Sequence, residues 1–202
     1  MPLENKENKP VMRCPWCESA DDYRLYHDKV WGVPEYNSQQ LFAKLCLDGQ
    51  QAGLSWITVL RKQTNYESAF FDFDPRKLAA LLPQERTEFI EAQMQNSGII
   101  RNRLKIESIF RNAEGYIAIE QQEQVSFSAF LWSFVGGKPL QNDWSTMAEV
   151  PSESEASRAM SKALKKRGFN FVGPTICYAF MQAAGMVNDH LASCFRHTEV
   201  LR

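Results

Sequence analysis

Several features are missing from this 202-residue chain, and each absence narrows what the protein can be. No apolar run is long enough to span a membrane, and the first residues, MPLENKENKP, are polar, so neither a membrane helix nor a signal peptide is expected. Strand-like alternation, internal repeats and low-complexity tracts are absent too, which predicts an all-α fold. The formal net charge of −1 neither favours nor excludes a polyanionic partner.

The composition nevertheless provides for a sizeable core. Hydrophobic residues make up 44% of the chain and aromatic residues 12%, which is typical of a globular protein. Residues 1–12 are predicted to form a flexible arm and residues 13–202 a single domain. The five cysteines, odd in number and partly spaced like metal ligands, favour a reducing cytoplasm over a disulfide scaffold.

Apolar residues recur at helical spacing along much of the chain. The first such stripe begins at Ser38, a candidate N-cap, and continues to Asp48, which places a carboxylate on an apolar face. Further helices are predicted over 75–82 after Asp74, over 84–95, through 106–117, and over 126–135 before two glycines. The segment 138–152 is predicted to be a connecting loop.

Cysteine and histidine residues are paired at the two ends of the chain, although the sequence has only three histidines. Cys14, Cys17 and His27 lie near the start, and His190 and Cys194 lie near the end. Since His190 and Cys194 are four residues apart, they would share one face of a helix. A tetrahedral zinc ion could join the two termini, and a zinc with four protein ligands is structural. Alternatively, these are buried cysteines and hydrogen-bonded histidines.

A helical hairpin with a basic face is predicted over residues 154–186. The first helix ends at Gly168, and Pro174 opens the second directly after Gly173. Free N–H groups at the second helix, with Lys165, Lys166 and Arg167 nearby, would suit DNA phosphates. An ordinary hairpin with a solvated basic face is the alternative. A second basic stretch comprises Arg101, Arg103, Lys105 and Arg111.

Aromatic side chains are concentrated in the N-terminal part, in chain predicted to be irregular and interrupted by glycines. Such a density usually indicates core packing, but an acid on an apolar stripe beside aromatics is costly without a partner. A flat pocket for a flipped base is therefore an alternative. The residues concerned are Trp16, Tyr23, Tyr26, Trp31, Asp48 and Trp56.

Five long segments together resemble the 3-methyladenine-DNA glycosylase I family. They are YHDKVWGVPE (26–35), DGQQAGLSWITVLRK (48–62), GIIRNRLKI (98–106), FLWSFVGGKP (130–139) and KALKKRGFNFVGPTICYAFMQAAGMVNDH (162–190). The resemblance implies a helix-hairpin-helix glycosylase fold, with that element at about 155–186. It also implies excision of 3-methyladenine from alkylated double-stranded DNA by a monomeric enzyme, with the free base as product and no membrane association.

The resemblance also implies roles for individual residues. Asp48, Tyr26 and Trp56 would be catalytic. Trp16 and Trp31 would wall the base pocket, and Gly53 and Leu54 would enter the DNA at the lesion. The hairpin's Lys165, Lys166, Arg167, Gly168 and Gly173 would contact the DNA backbone, and Cys14, His27, His190 and Cys194 would bind a structural Zn²⁺. Cys17 is a spare cysteine, and its exchange with His27 as a ligand is left open.

The residues at three positions modify the reaction that the resemblance implies. The family's pocket acid is usually glutamate, whereas this chain has Asp48, one methylene shorter. Asn188 stands where related glycosylases carry an aspartate, and Thr175 stands at the position of the lyase lysine, so a monofunctional enzyme that uses water is expected. Two alternatives are an inactive zinc-stapled DNA-binding relative and a hydrolase with a catalytic zinc.

Overall fold

The computed structural model describes residues 11–200, so most of the predicted arm lies outside the described residues. Within that range the chain is mostly helical, as the sequence predicts. The helices are α1 (Asp21–Lys29), α2 (Ser38–Gln51), α3 (Trp56–Leu60), α4 (Gln63–Ala69), α5 (Pro75–Ala80), α6 (Pro83–Met94), α7 (Arg103–Gln122), α8 (Phe127–Trp132), α9 (Glu155–Lys166), α10 (Pro174–Ala183) and α11 (Arg196–Glu199). Short 3-10 turns cover Pro15–Cys17, Phe71–Phe73 and Ser133–Val135.

The predicted helices after Ser38 are present, but some of their bounds differ: α5 ends at Ala80 rather than 82, and α7 extends beyond the predicted 106–117 at both ends. The side chain of Asn37, rather than Ser38, caps α2 by accepting from two N–H groups of its first turn. Asp74 caps α5 directly before Pro75, in agreement with the sequence prediction. Ser126 caps α8, and the segment ends as predicted at two glycines with positive φ, Gly136 and Gly137.

The core lies around α2, which packs against α7, α8 and α10, while α9 packs against α10. Buried aromatic side chains from three of these segments meet there: Phe42 of α2 contacts Tyr116 of α7 and Phe127 of α8 edge to face. Because α2 is surrounded on several sides, its last turn carries Asp48 into the interior. The carboxylate is 3% exposed.

Two very short strands correct the prediction that 138–152 is a loop without strands. β1 (Leu140–Gln141) pairs in parallel with β2 (Val187–Asn188). Strands of two residues are too short for period-two alternation to appear in a sequence. Asn188 strengthens this pairing, because its side-chain amide donates to Oε1 of Gln141 and to the carbonyl of His197. The chain directly after β2 is thereby fixed.

Two further expectations about local structure are wrong. His190 and Cys194 do not lie on a helix but in a turn, in which the N–H of Cys194 donates to the carbonyl of Leu191 at 2.7 Å. The aromatic N-terminal segment is not irregular, because Tyr23 and Tyr26 lie on α1 and Trp16 lies in a 3-10 turn. No helix among residues 11–200 is long and apolar enough to cross a membrane.

Candidate functional site

The aromatic cavity opens where α1, α2, α3 and α10 meet. Its volume is about 190 Å³, and aromatic rings and polar side chains share its surface. All six residues predicted from the sequence to form a flat base pocket line it. The lining includes Trp16, Tyr23, Tyr26, Trp31, Asp48, Gln51, Trp56, Gln182 and Asp189.

Two residues that line this cavity each carry a buried polar atom without a hydrogen-bond partner. These atoms are Oδ2 of Asp48, an acceptor, and Nε1 of Trp56, a donor. Burial raises the pKa of Asp48 to about 7, and the nearby cation of Lys44 limits that rise. Because buried polar groups without partners are costly, these two atoms indicate a ligand that both accepts and donates hydrogen bonds.

The walls of the cavity are aromatic rings at fixed angles. The rings of Tyr26 and Trp56 are 5.5 Å apart and tilted by 45°. Trp16 contacts Trp31 edge to face, with centroids 5.1 Å apart, and lies 6.5 Å from Tyr26. Such a set of faces and edges can enclose a planar, electron-poor ring.

Lys44 lies behind this wall and was missed by the sequence analysis. Its Nζ donates to the hydroxyl of Tyr26 at 3.1 Å and lies 5.3 Å and 5.7 Å from the ring centroids of Tyr26 and Trp56. It belongs to α2, one turn before Asp48, and this spacing of four was the signal that could have found it. Burial lowers the pKa of Lys44, whereas the charges of Asp48 and Glu35 oppose that effect.

Asp189 is a second carboxylate of the cavity that the sequence analysis missed. The side chains of Asn142 and Trp144 donate to its Oδ1 at 2.7 Å and 2.8 Å. Those of Tyr178 and Gln182 donate to its Oδ2 at 2.7 Å and 2.8 Å. Four neutral donors can hold a buried carboxylate without a cation. In the sequence, Asp189 lies between Asn188 and the candidate metal ligand His190.

Gly53 and Leu54 form a turn at the edge of a neighbouring cavity. This turn cavity, of about 190 Å³, is lined by Asp48, Gln51, Leu54 and Thr175 among others, so it borders the aromatic cavity. Gly53 has φ +76°, and the Leu54 side chain is 42% exposed. An exposed leucine on a glycine turn beside the pocket is well placed to enter a duplex.

Lys105 holds the start of this turn. The sequence places it in an exposed basic stretch, but its side chain is buried, and its Nζ donates to the carbonyls of Gln50 and Ala52, each at 2.7 Å. Both carbonyls are at the C-terminal end of α2, where a cation is favourable. Lys105 therefore supports the fold and does not add to a basic surface.

The hairpin between α9 and α10 has the predicted outline. Gly168 has φ +84° and Gly173 precedes Pro174, while Lys165 and Lys166 are exposed. Arg167 is different, because its guanidinium pairs with Glu123, donates to the carbonyl of Ala163 and covers the Phe130 ring. Its charge is thus neutralised within the fold.

The hairpin and the pocket acid are close neighbours. A Cβ on Gly49, the residue after Asp48, would lie 3.1 Å from the Cβ of Phe171 in the hairpin. The backbone of Asn170 is fixed by Asn112 of α7, whose side chain accepts from its N–H at 2.8 Å and donates to its carbonyl at 3.3 Å. A partner held by the hairpin would therefore lie near the two cavities.

The predicted metal ligands Cys14, His27, His190 and Cys194 converge next to Trp16 and Trp31 of the aromatic cavity. All four are buried, and their candidate ligand atoms lie within 4.8 Å of one another. A hydrogen bond from the Cys14 thiol places the pKa of Cys194 far below its usual range, and the pKa of Cys14 is raised correspondingly. The two sulfurs therefore share one proton, as expected of a close thiol–thiolate pair.

The surroundings of the two imidazoles fit a metal site. The carboxylate of Asp28 accepts from Nδ1 of His27 at 2.8 Å, and the carbonyl of Trp31 accepts from Nε2 of His190 at 3.2 Å. Since these oxygens can only accept, the other nitrogen of each ring presents its lone pair to the sulfurs. Cys17 is not part of the cluster. Its thiol donates to the carbonyl of Cys14 at 3.1 Å, and burial raises its pKa to about 11.

Comparisons with known proteins agree on one family. A family model described as methyladenine glycosylase matches residues 16–197. A protein from Haemophilus influenzae named DNA-3-methyladenine glycosylase is 54% identical over 182 residues, which cover 90% of this chain and 96% of that protein. A crystal structure of 3-methyladenine DNA glycosylase I has a TM-score of 0.86 and 51% identity and covers 91% of this chain and 98% of that chain. A variant of 3-methyladenine DNA glycosylase I in complex with 3-methyladenine has a TM-score of 0.84 and 40% identity, with 91% and 96% coverage.

Proposed function

The chain belongs to the methyladenine glycosylase family, and we propose that it excises 3-methyladenine from alkylated DNA as the first step of base excision repair. One observation carries this proposal. Asp48, with an unpartnered carboxylate oxygen, and Trp56, with an unpartnered N–H, both line a cavity walled by aromatic rings. A flipped adenine derivative offers the complementary donors, acceptors and flat faces.

Cleavage of this glycosidic bond needs little chemical assistance from the protein. Methylation at N3 makes the adenine cationic, so the base leaves as a neutral molecule when the glycosidic bond breaks. The bonding electrons go to the base, positive charge develops on the sugar, and water adds to the sugar carbon with loss of a proton. The protein must extrude the nucleotide, hold the base and tolerate the sugar cation. In this scheme Tyr26 and Trp56 stack on the base and Asp48 accepts from its edge.

Asp48 distinguishes this chain from the usual glutamate of the family. The carboxylate is one methylene shorter, so its contact with the base becomes water-mediated or the base sits deeper. A hydrogen bond to a charged group contributes about 1.5–3 kcal/mol, which bounds the possible loss of affinity. Activity is expected to persist, and Asp48→Glu should change the affinity within that bound.

The α9–α10 segment is proposed to act as the helix-hairpin-helix element that holds the DNA backbone. Its exposed Lys165 and Lys166 and the free N–H groups beside Gly173 suit phosphates. Leu54 would fill the space that the extruded nucleotide leaves. Binding should weaken steeply with salt, because phosphate contacts release counterions.

A monofunctional reaction is proposed because no lysine among residues 11–200 lines the aromatic cavity or the turn cavity. Thr175 lines the turn cavity at the position where bifunctional relatives carry their lyase lysine. A Schiff base with the sugar requires an amine in contact with it. The expected product is therefore an abasic site in an uncut strand.

The Cys14–His27–His190–Cys194 cluster is proposed to hold a structural Zn²⁺. Four donors of these types fill a tetrahedral shell, so such an ion would stabilise the two termini without activating water. His27 adjoins Tyr26 on α1, so the ion would also fix a wall of the pocket. Cys194→Ser should lose bound zinc in elemental analysis, whereas Cys17→Ser should retain it. Equal zinc loss from both variants would contradict this assignment.

Binding of the free base tests the pocket without DNA. Free 3-methyladenine should quench the fluorescence of Trp16, Trp31 and Trp56 in wild-type protein, and Asp48→Asn should weaken its binding. 7-Methylguanine serves as the control ligand. An inactive DNA-binding relative without a base pocket would show no quenching by either base.

A further inference from the structure

The ammonium group of Lys44 lies next to the rings of Tyr26 and Trp56 but does not line the aromatic cavity. Lys44 lines a separate rear cavity of about 260 Å³ together with Lys29, Glu35, Tyr26 and Trp56. The rings of Tyr26 and Trp56 line both this rear cavity and the aromatic cavity, so they stand between the ammonium and a base in the pocket.

The position of the ammonium is fixed on several sides. Its Nζ donates to the Tyr26 hydroxyl and lies 5.3 Å and 5.7 Å from the ring centroids of Tyr26 and Trp56, the same rings that would stack on the base. Asp48 follows on the next turn of α2, and Glu35 shares the rear cavity. Burial lowers the pKa of Lys44, and these two carboxylates oppose that shift by favouring its charged form.

We propose that Lys44 acts through Tyr26 and Trp56 to disfavour the cationic base and so assists its departure as a neutral molecule. This inference rests on the proposed function. An aromatic pocket attracts a cation, and that attraction is lost as the base becomes neutral, which opposes the reaction. A fixed positive charge behind the rings counters this effect, because its repulsion of the cationic base is relieved when charge moves to the sugar.

The strength of the repulsion between Lys44 and the cationic base follows from the distance between them. A base on the far side of Tyr26 lies roughly 9 Å from the ammonium, and at an effective dielectric constant of about 20 the repulsion corresponds to about twentyfold in affinity. Lys44 should therefore weaken binding of the cationic lesion and raise the rate of bond cleavage, whereas Asp48 acts in the opposite direction. Lys44 is a positioning residue, since it does not line the aromatic cavity.

The test compares a cation and a neutral base of nearly the same shape. The probes are 3,9-dimethyladeninium, whose N9 methyl stands in for the sugar, and free 3-methyladenine in mildly alkaline buffer, where it is neutral. Affinities are measured by tryptophan fluorescence for wild type, Lys44→Arg and Lys29→Met, and for Asp48→Asn with and without Lys44→Met. The Asp48→Asn background is used because Lys44 lowers the pKa of Asp48, so removing Lys44 alone would also change the charge of that carboxyl. Lys29→Met is the matched control, because it removes an exposed cation from the rim of the same rear cavity.

In the Asp48→Asn background, Lys44→Met should tighten binding of 3,9-dimethyladeninium about twentyfold and leave binding of 3-methyladenine within about twofold, while single-turnover excision slows by up to about twentyfold. Lys44→Arg and Lys29→Met should match wild type. Equal changes for both ligands, or an unchanged affinity for the cation, would overturn the inference. Wild-type protein that binds neither ligand overturns it together with the pocket. Wild-type protein that binds both but releases no base overturns only the proposed activity.

Discussion

Replacing Asp48 by asparagine should make the fold more stable than wild type above neutral pH. The carboxyl is 3% exposed, and one of its oxygens has no hydrogen-bond partner. Burial raises its pKa from 3.8 to about 7, although Lys44 opposes the rise. An acid with a raised folded-state pKa destabilises the protein when it ionises. Its contribution to stability is fully present below pH 3.8 and is lost as the pH rises through about 7.

The magnitude follows from the two pKa values. A shift of about three units corresponds to about 4 kcal/mol between the acid limit and alkaline pH. Between about pH 5 and about pH 8, the part of that range in which the fold can be studied, wild type should lose about 2.5 kcal/mol relative to Asp48→Asn. The asparagine does not titrate, so the difference between the two proteins reports the ionisation of Asp48 together with its effect on the neighbouring Lys44.

Urea unfolding of both proteins at several pH values measures the effect, and free energies are extrapolated to water. The two stability curves should diverge as the pH rises, with Asp48→Asn the more stable protein at the alkaline end. The same variant should release less 3-methyladenine, because it lacks the charged acceptor. Parallel curves across the whole range would refute the raised pKa and the view that Asp48 is kept unpartnered for a ligand.

Three other substitutions have distinct expected outcomes. Gly115→Ala should destabilise the fold by about 1–3 kcal/mol in urea unfolding, because its Cβ would lie 2.3 Å from the Phe169 ring and 2.8 Å from the carbonyl of Arg167. Lys105→Met should lower the free energy of unfolding by about 1–3 kcal/mol and also slow base release, because it leaves the carbonyls of Gln50 and Ala52 without their donor. Leu54→Ala should leave stability within about 0.5 kcal/mol and reduce excision from duplex more than from single-stranded DNA. An equal loss on both DNA forms would contradict a wedge role.

The spacing of apolar residues, together with capping residues, glycines and prolines at the ends of segments, located most helices from the sequence. The stripe that begins near Ser38 has helical spacing and placed Asp48 on a buried face, which the structure confirms. The glycines and proline around the hairpin also fixed its boundaries, because Gly168 and Pro174 have strong local conformational preferences. The β1–β2 pairing was missed, since two residues carry no periodic signal.

The roles of Lys105, Lys44 and Asp189 could not be predicted from the sequence, because they depend on tertiary contacts. Lys105 has the same local sequence signal as its exposed basic neighbours, and only the approach of α2 shows that it is buried. Lys44 resembles an ordinary surface lysine until the rings of Tyr26 and Trp56 are placed beside it. Asp189 is satisfied by donors from distant segments, among them Asn142 and Trp144, which no local pattern joins to it.

Analysis of the products released from methylated duplex DNA tests the central claim most directly. Bases are separated by chromatography, and the remaining strand is examined for cuts before and after alkali. Selective release of 3-methyladenine over 7-methylguanine is expected, with strands that break only after alkali. Folded, metal-loaded protein that releases no base would contradict the enzymatic account and leave a DNA-binding relative without activity.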